Sequence, residues 1–369
     1  VLAGSVDGRT GEHLQLRVHV LRRLRSRDVK PVPELCRRAG GASAARQAGN
    51  ARVRRSVIAA GETFDGTWPF APRFSDRAGF RMHYVDEGCG DPLVLLHGEP
   101  TWGYLYRRFI GPLAGSHRVV VPDHMGFGRS ETPQDRSYLL TEHVGNVESL
   151  LVDELDLREI TLVLHDWGGP IGAGFALRHP ERIARIILLN SLLPLGLEHE
   201  WPLLAANMEE SSWFRWVRSA HADGTLGEIL GNARRTVAHL MLELQGIANA
   251  RVVDPLWIRA YGESFAGPGE SRGVIDFPRQ VIAPHEFDPV HFPPPAAGAV
   301  NEIRGKPAML AFGMQDRALL ASHMIPIFEG TFPRAPVVRL ESAAHFCQED
   351  EPELLIALIS QFVALTPTP

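Results

Sequence analysis

Asp166 stands at the end of an apolar run and just before two glycines, in TLVLHDWGGP at 161–170. An apolar strand running into one polar residue, then Trp167, Gly168 and Gly169 and a helical pattern closing near His179 and Pro180, spells strand, nucleophile, helix. The glycines permit a sharp turn and a close approach of helix to sheet. A carboxylate at such a turn can displace a leaving group from a saturated carbon, giving an alkyl ester that water can cleave. A serine alkylated at carbon would be a dead-end ether. Leu164 holds the place of the first glycine of G-x-S-x-G, so the generic hydrolase pattern is not literally met. The literal match, GESRG at 269–273, follows no apolar strand, and Ser271 is not expected to be catalytic.

Cleaving that ester needs a base and an acid to orient it, which on this kind of fold follow the nucleophile in the order acid, then histidine. Asp316 lies after the strand pattern PAMLAFG, in GMQDRALL, and His345 after PVVRLE, in SAAHFCQE. Parallel strands end together, so Asp166, Asp316 and His345 are expected at one edge of the sheet. HGEPTW, from His97 to Trp102, follows the strand before the elbow strand. It is expected to supply an oxyanion amide near Glu99, with the amide of Trp167 as the other.

The segments HGEPTWGYLYR, DHMGFGRSETP, HDWGGPIG, GMQD and AAHFCQEDEP together resemble the haloalkane dehalogenases, with similarity running from about Thr63 to Phe362. The resemblance implies Asp166 as nucleophile, Asp316 as acid, His345 as base and Trp167 as one halide ligand. It also implies a halogenated alkane and water as substrates, a halide ion as product, and no cofactor or metal. Related dehalogenases use a second tryptophan, or an asparagine in the HG-x-P segment. Glu99 stands at that asparagine's place, and beside Asp166 it is expected to stay protonated. The second donor should then be a tryptophan of the lid, where Trp201, Trp213, Trp216 and Trp257 lie. SSWFRWVRS resembles the family's lid segment and points to Trp216, with Trp213 next. One subgroup takes its acid from the end of the strand after the elbow; Asn190 occupies that place, leaving Asp316.

These residues must be carried by an α/β frame. FRMHYVDEG alternates like an early, partly exposed strand, and PLVLLHG, RVVVPD, ITLVLHD, ARIILLN, PAMLAFG and PVVRLE read as strands covered on both faces. Short apolar runs alternating with helical patterns predict an α/β-hydrolase core, a mostly parallel sheet flanked by helices. More than 100 residues separate ARIILLN from PAMLAFG. That is too long for a crossover and predicts an inserted helical lid. The expected organisation is a basic leader at 1–57, core at 58–190, lid at 191–303 and core again at 304–369. HFPPPAAGA is expected to be the linker returning from the lid.

The leader holds 13 Lys/Arg against 4 Asp/Glu, while the remainder holds 25 against 39. Its Arg, Ala and Gly bias with few large apolar residues predicts a dispensable, disordered extension, and no aromatic residue interleaves its arginines as nucleic-acid binding would favour. No run approaches the roughly 18 apolar residues of a membrane span. Cys36, Cys89 and Cys347 are odd in number and widely spaced, which predicts no disulfide framework and a reducing cytoplasm. A monomer is expected.

Three other readings compete. An epoxide hydrolase would share the Asp, His and acid but use two lid tyrosines, and the lid has only Tyr261. A non-catalytic binding module would be free to lose the triad, whose members are all present. A metal enzyme is disfavoured because HEFDPVH sets His285 and His291 six apart around Pro289, unlike the shared helix face of HExxH.

Overall fold

The computed structural model describes residues 58–286 and 296–367. The leader at 1–57 and the start of the linker pattern, including His291, lie outside the described residues. Eight strands form one sheet: β1 (Arg73–Ser75), β2 (Met82–Gly88), β3 (Pro92–Leu96), β4 (Arg118–Pro122), β5 (Ile160–His165), β6 (Ile183–Leu189), β7 (Ala308–Gly313) and β8 (Val337–Leu340). Their spatial order is β1-β2-β4-β3-β5-β6-β7-β8. β2 runs antiparallel to β1 and β4, and every pair from β4 and β3 onward is parallel.

The central strands are apolar throughout because both faces are covered: every residue of β3, β5 and β7 is buried. The helices Arg107–Ala114, Leu140–Glu148, Gly168–Arg178, Ala321–Thr331 and Pro352–Leu365 flank this sheet. β2 differs from the expected half-exposed strand, since Met82 to Val85 are all buried. Its buried residue His83 is matched by a buried carboxylate, with Asp123 Oδ2 at 2.8 Å, and its ring lies against Phe74 of β1. β1 itself, three residues long, has no sequence period to announce it.

Between β6 and β7 the chain forms the helices Glu200–Glu210, Ser212–Ala222, Leu226–Gly231, Ala233–His239, Pro255–Gly262 and Arg272–Ile282, then Ala299–Gly305 leading into β7. The helix Arg272–Ile282 seats on the core through Phe277, which stacks on Trp167 at 4.5 Å and on Phe127 at 5.4 Å. Among the described residues no helix is long and apolar enough to cross a membrane. Cys36, one of the three cysteines behind the spacing expectation, lies outside the described residues. Cys347 is free and buried.

Candidate active site

The buried strand β5 delivers Asp166 into a turn with φ +49°, and the helix Gly168–Arg178 begins two residues later. A non-glycine residue in this left-handed region costs roughly 1–2 kcal/mol, and here surrounding bonds hold it. The Ser191 hydroxyl donates to the Asp166 carbonyl at 2.7 Å, and the Gly169 amide donates to the same oxygen at 2.9 Å. A Cβ on Gly168 would fall on the Leu96 carbonyl of β3, so glycine is what lets this helix approach the sheet. Gly98 does the same for the carboxylate, because a Cβ there would meet Asp166 Oδ1.

The next three groups arrive from the carboxyl ends of neighbouring strands. After β3, the Glu99 amide donates to Asp166 Oδ1 at 2.7 Å. After β8, His345 Nε2 sits 3.3 Å from Asp166 Oδ2, an ion-pair distance. After β7, Asp316 Oδ2 accepts from His345 Nδ1 at 2.8 Å. Asp316 Oδ1 takes the amides of Ala318 and Leu319 at 2.8 and 2.9 Å. The structure thus brings Asp166, His345, Asp316 and the Glu99 backbone together at one sheet edge.

Charge follows the geometry. Burial opposes the imidazolium of His345, yet the carboxylates of Asp316 and Asp166 outweigh it and push its pKa up to about 10. Burial likewise works to raise Asp166, and the neighbouring His345 turns the balance, leaving the carboxyl below its ordinary range with help from the Trp167 amide. An imidazolium and a carboxylate therefore face each other in the resting site. Glu99 is different: burial, then the charge of Asp166, push its carboxyl well above the usual range. Its Oε1 is buried without a hydrogen-bond partner, as suits a neutral acid.

Two further histidines brace the site as neutral rings. His97 Nδ1 donates to the Gly98 carbonyl at 3.0 Å while its Nε2 accepts the His124 amide at 3.0 Å, a pattern open only to the neutral form. His165 Nε2 donates to the His345 carbonyl at 3.0 Å, and burial followed by the His345 charge push its pKa down to about 3.

The tryptophans are less convergent. Trp167 is half-buried with its ring stacked on Phe277. Trp216, also half-buried, stacks on buried Trp213 at 5.4 Å, and their helix is tied near Asp316 by the Ser211 hydroxyl donating to the Arg317 carbonyl at 2.8 Å. Trp201 is 62% exposed, which removes it as a ligand in a dry site. Trp257 is buried against Tyr261. The Tyr261 hydroxyl donates to Glu349 Oε1 at 2.5 Å, and Arg107 clasps the same carboxylate at 2.6 and 2.9 Å. Ser271 is buried, with its hydroxyl donating to the Gly267 and Gly231 carbonyls. Among the described residues no group of three His, Cys, Asp or Glu could hold a metal ion.

Sequence reasoning passed over Asn190, treating it only as a missing carboxylate. Its Nδ2 donates to Asp316 Oδ2 at 2.8 Å and to the Gly313 carbonyl at 3.2 Å, while its Oδ1 accepts the Gly313 amide at 2.8 Å. The available signal was an asparagine ending a strand, since asparagine tolerates the left-handed turn it makes there, φ +41°.

A family model for the alpha/beta hydrolase fold matches residues 91–352. Haloalkane dehalogenase 2 of Mycobacterium tuberculosis is 32% identical over 79% of this chain and 94% of that protein. A cis-3-alkyl-4-alkyloxetan-2-one decarboxylase of Shewanella oneidensis is 29% identical over 82% of the chain and 92% of that protein. Among solved structures, the ligand-free epoxide hydrolase CorEH superposes with a TM-score of 0.60 at 22% identity, over 80% of this chain and 99% of that one. The family match takes in the elbow, the acid and the histidine together with seven-tenths of the sequence, and the chain belongs to the alpha/beta hydrolase fold family.

Proposed function

We propose that the chain is a haloalkane dehalogenase working through a covalent alkyl ester on Asp166. The observation that carries this reading is a carboxylate at the elbow, with an amide on one oxygen and an imidazole on the other. Oδ2 of Asp166 attacks the halogenated carbon; the new carbon–oxygen bond forms as the carbon–halogen bond breaks, and the halide leaves with the bonding electrons. Halide is received by the indole N–H groups of Trp167 and Trp216, donors that keep their protons. Trp216 belongs to the lid, which we place at 191–303 between the two parts of the core.

Alkylation removes the negative charge of Asp166, one of the two that raise His345. The imidazolium then releases its proton to solvent, balancing the departed halide, and the neutral ring can act as a base toward water. Hydroxide attacks Cγ of Asp166, and the oxyanion forming on Oδ1 meets the amides of Glu99 and Trp167. Collapse expels the alkoxide, which takes the proton from His345 and leaves as the alcohol. Asp316 holds the imidazole throughout. The triad with an acid after β7 and two tryptophans corresponds to the two-tryptophan subgroup of dehalogenases.

Epoxide opening would call for free tyrosine hydroxyls above the nucleophile, and Tyr261 already donates to Glu349. A second reading is favoured by the Shewanella relative: the same carboxylate would displace the ring oxygen of an oxetan-2-one at C4, and loss of carbon dioxide from the freed carboxylate would then form an alkene and expel Asp166. The test offers the enzyme a short bromoalkane, an epoxide and a cis-dialkyl oxetanone separately, and measures bromide, diol and carbon dioxide. Bromide release with alcohol is the expected result. Diol alone, or carbon dioxide alone, would replace the dehalogenase reading with the corresponding alternative.

A further inference from the structure

Well past Asn190 and Ser191, the segment between β6 and β7 reaches the site again. The helix Ala233–His239 runs into a wide π-helical turn, Leu240–Gly246, a local distortion often found at functional sites. At its end Gln245 is 1% exposed, and its Nε2 donates to the Glu99 carbonyl at 3.3 Å. The Gln245 carbonyl accepts the Arg317 amide at 3.0 Å, and the Gly246 carbonyl accepts the Phe346 amide at 3.3 Å. Two consecutive residues thus bond to the residue that supplies the Glu99 amide, the residue after Asp316 and the residue after His345. Asp350 extends the tie, accepting the Ala344 amide at 2.8 Å and the Asn249 amide at 2.8 Å.

Resting on the covalent-ester reading above, we propose that Gln245 is a positioning residue for the ester-hydrolysis step, holding residue 99 so that its amide stays on Asp166 Oδ1. The two chemical steps depend on that amide unequally. In alkylation, charge leaves Asp166 and the amide's hold on Oδ1 weakens. In hydrolysis, a full charge develops on Oδ1 and the amide must be in place to receive it. Losing the Gln245 tie should therefore slow the second step more than the first.

Gln245→Met tests this with packing preserved, since methionine matches the length of glutamine but has no N–H to donate. It leaves the Glu99 carbonyl without this donor but also removes the buried Oε1 of Gln245, which lacks a partner, so the two changes offset and the net effect on stability should be small. With a bromoalkane, the variant is expected to release its first bromide at nearly the wild-type rate and then turn over about tenfold more slowly. That lies between the several-fold effect of one neutral hydrogen bond and the roughly hundredfold effect of a lost oxyanion donor. Intact mass spectrometry should then find alkylated enzyme during turnover, with His345 present, and the melting temperature unchanged. Equal slowing of burst and turnover, or unchanged turnover, would overturn the proposal.

Hydrogen exchange supplies an arm that needs no substrate. Peptides covering 97–101 should lose about tenfold in protection in Gln245→Met while those of β5 and β6 keep theirs. Unchanged exchange at 97–101 overturns the positioning role whatever the reaction. Failure of wild type to release bromide, with exchange altered as expected, would strike at the dehalogenase reading alone.

Discussion

Replacing Asp316 by asparagine removes a charge and adds a hydrogen-bond donor where there is room for neither change. All four neighbours of this buried carboxylate donate: the amides of Ala318 and Leu319 on Oδ1, and His345 Nδ1 with Asn190 Nδ2 on Oδ2. A side-chain amide must turn its NH2 toward one of these pairs. Facing the backbone pair, it orphans two buried N–H groups, at roughly 1–3 kcal/mol each. Facing His345, it makes Nδ1 an acceptor and moves the ring proton to Nε2, the nitrogen 3.3 Å from Asp166. That tautomer cannot take a proton from water, and the comparable change in a serine-protease triad costs about 10,000-fold in turnover. Asp316→Asn is therefore expected to lose roughly 1,000- to 10,000-fold in steady-state bromide release and roughly 2–6 kcal/mol in urea denaturation. Asn190→Ala deletes one donor of the four and should cost far less turnover. Steady-state bromide release for both variants decides it: a loss under about tenfold in Asp316→Asn, or a greater loss in Asn190→Ala, would refute this assignment of the acid.

Halide affinity, followed by bromide quenching of intrinsic fluorescence, should weaken about tenfold to a hundredfold in Trp216→Phe, since a hydrogen bond to an anion contributes roughly 1.5–3 kcal/mol; unchanged affinity would move the role to Trp213. Glu99→Gln should keep turnover at pH 7 within about fivefold, because burial already holds Glu99 neutral and the amide mimics its acid form; a hundredfold loss would mean that its charge is used. His143 is buried with neither ring nitrogen partnered, and burial pushes its pKa down to about 3. Its folded pKa lies below the unfolded value of about 6.5, so its contribution to stability is complete above that pH and falls as pH drops toward 3, by about 2 kcal/mol at pH 5. His143→Phe should accordingly resist acid unfolding better than wild type between pH 6 and 4, and equal acid midpoints would contradict the sign.

The elements that carry the site were legible where burial on both faces writes itself as an unbroken apolar run. PLVLLHG, ITLVLHD and PAMLAFG became β3, β5 and β7, and the polar residues following them face one edge because parallel strands end together. β1 escaped because three residues carry no period, and the full burial of β2 because the pairing of His83 with Asp123 is a contact across 40 residues. The neutrality of Glu99 could be argued from a neighbouring carboxylate alone. Asn190 could not be given its bond to Asp316, since that requires knowing that β6 lies beside β7. Gln245 left still less trace: an amide in a helical run looks like a solvated face until tertiary packing buries it. Resemblance favours Trp216 over Trp213, and the stacking of the two rings orders them as a pair.

The central claim is the covalent ester on Asp166, and His345→Phe tests it most directly. Displacement of halide needs the carboxylate and the halide donors, whereas hydrolysis needs the base. Incubated with a short bromoalkane, this variant should release about one bromide per chain and then stop, and its intact mass should rise by the alkyl group, with the addition on the peptide bearing Asp166. A bromide burst without an adduct, or an adduct on any other residue, would contradict the account.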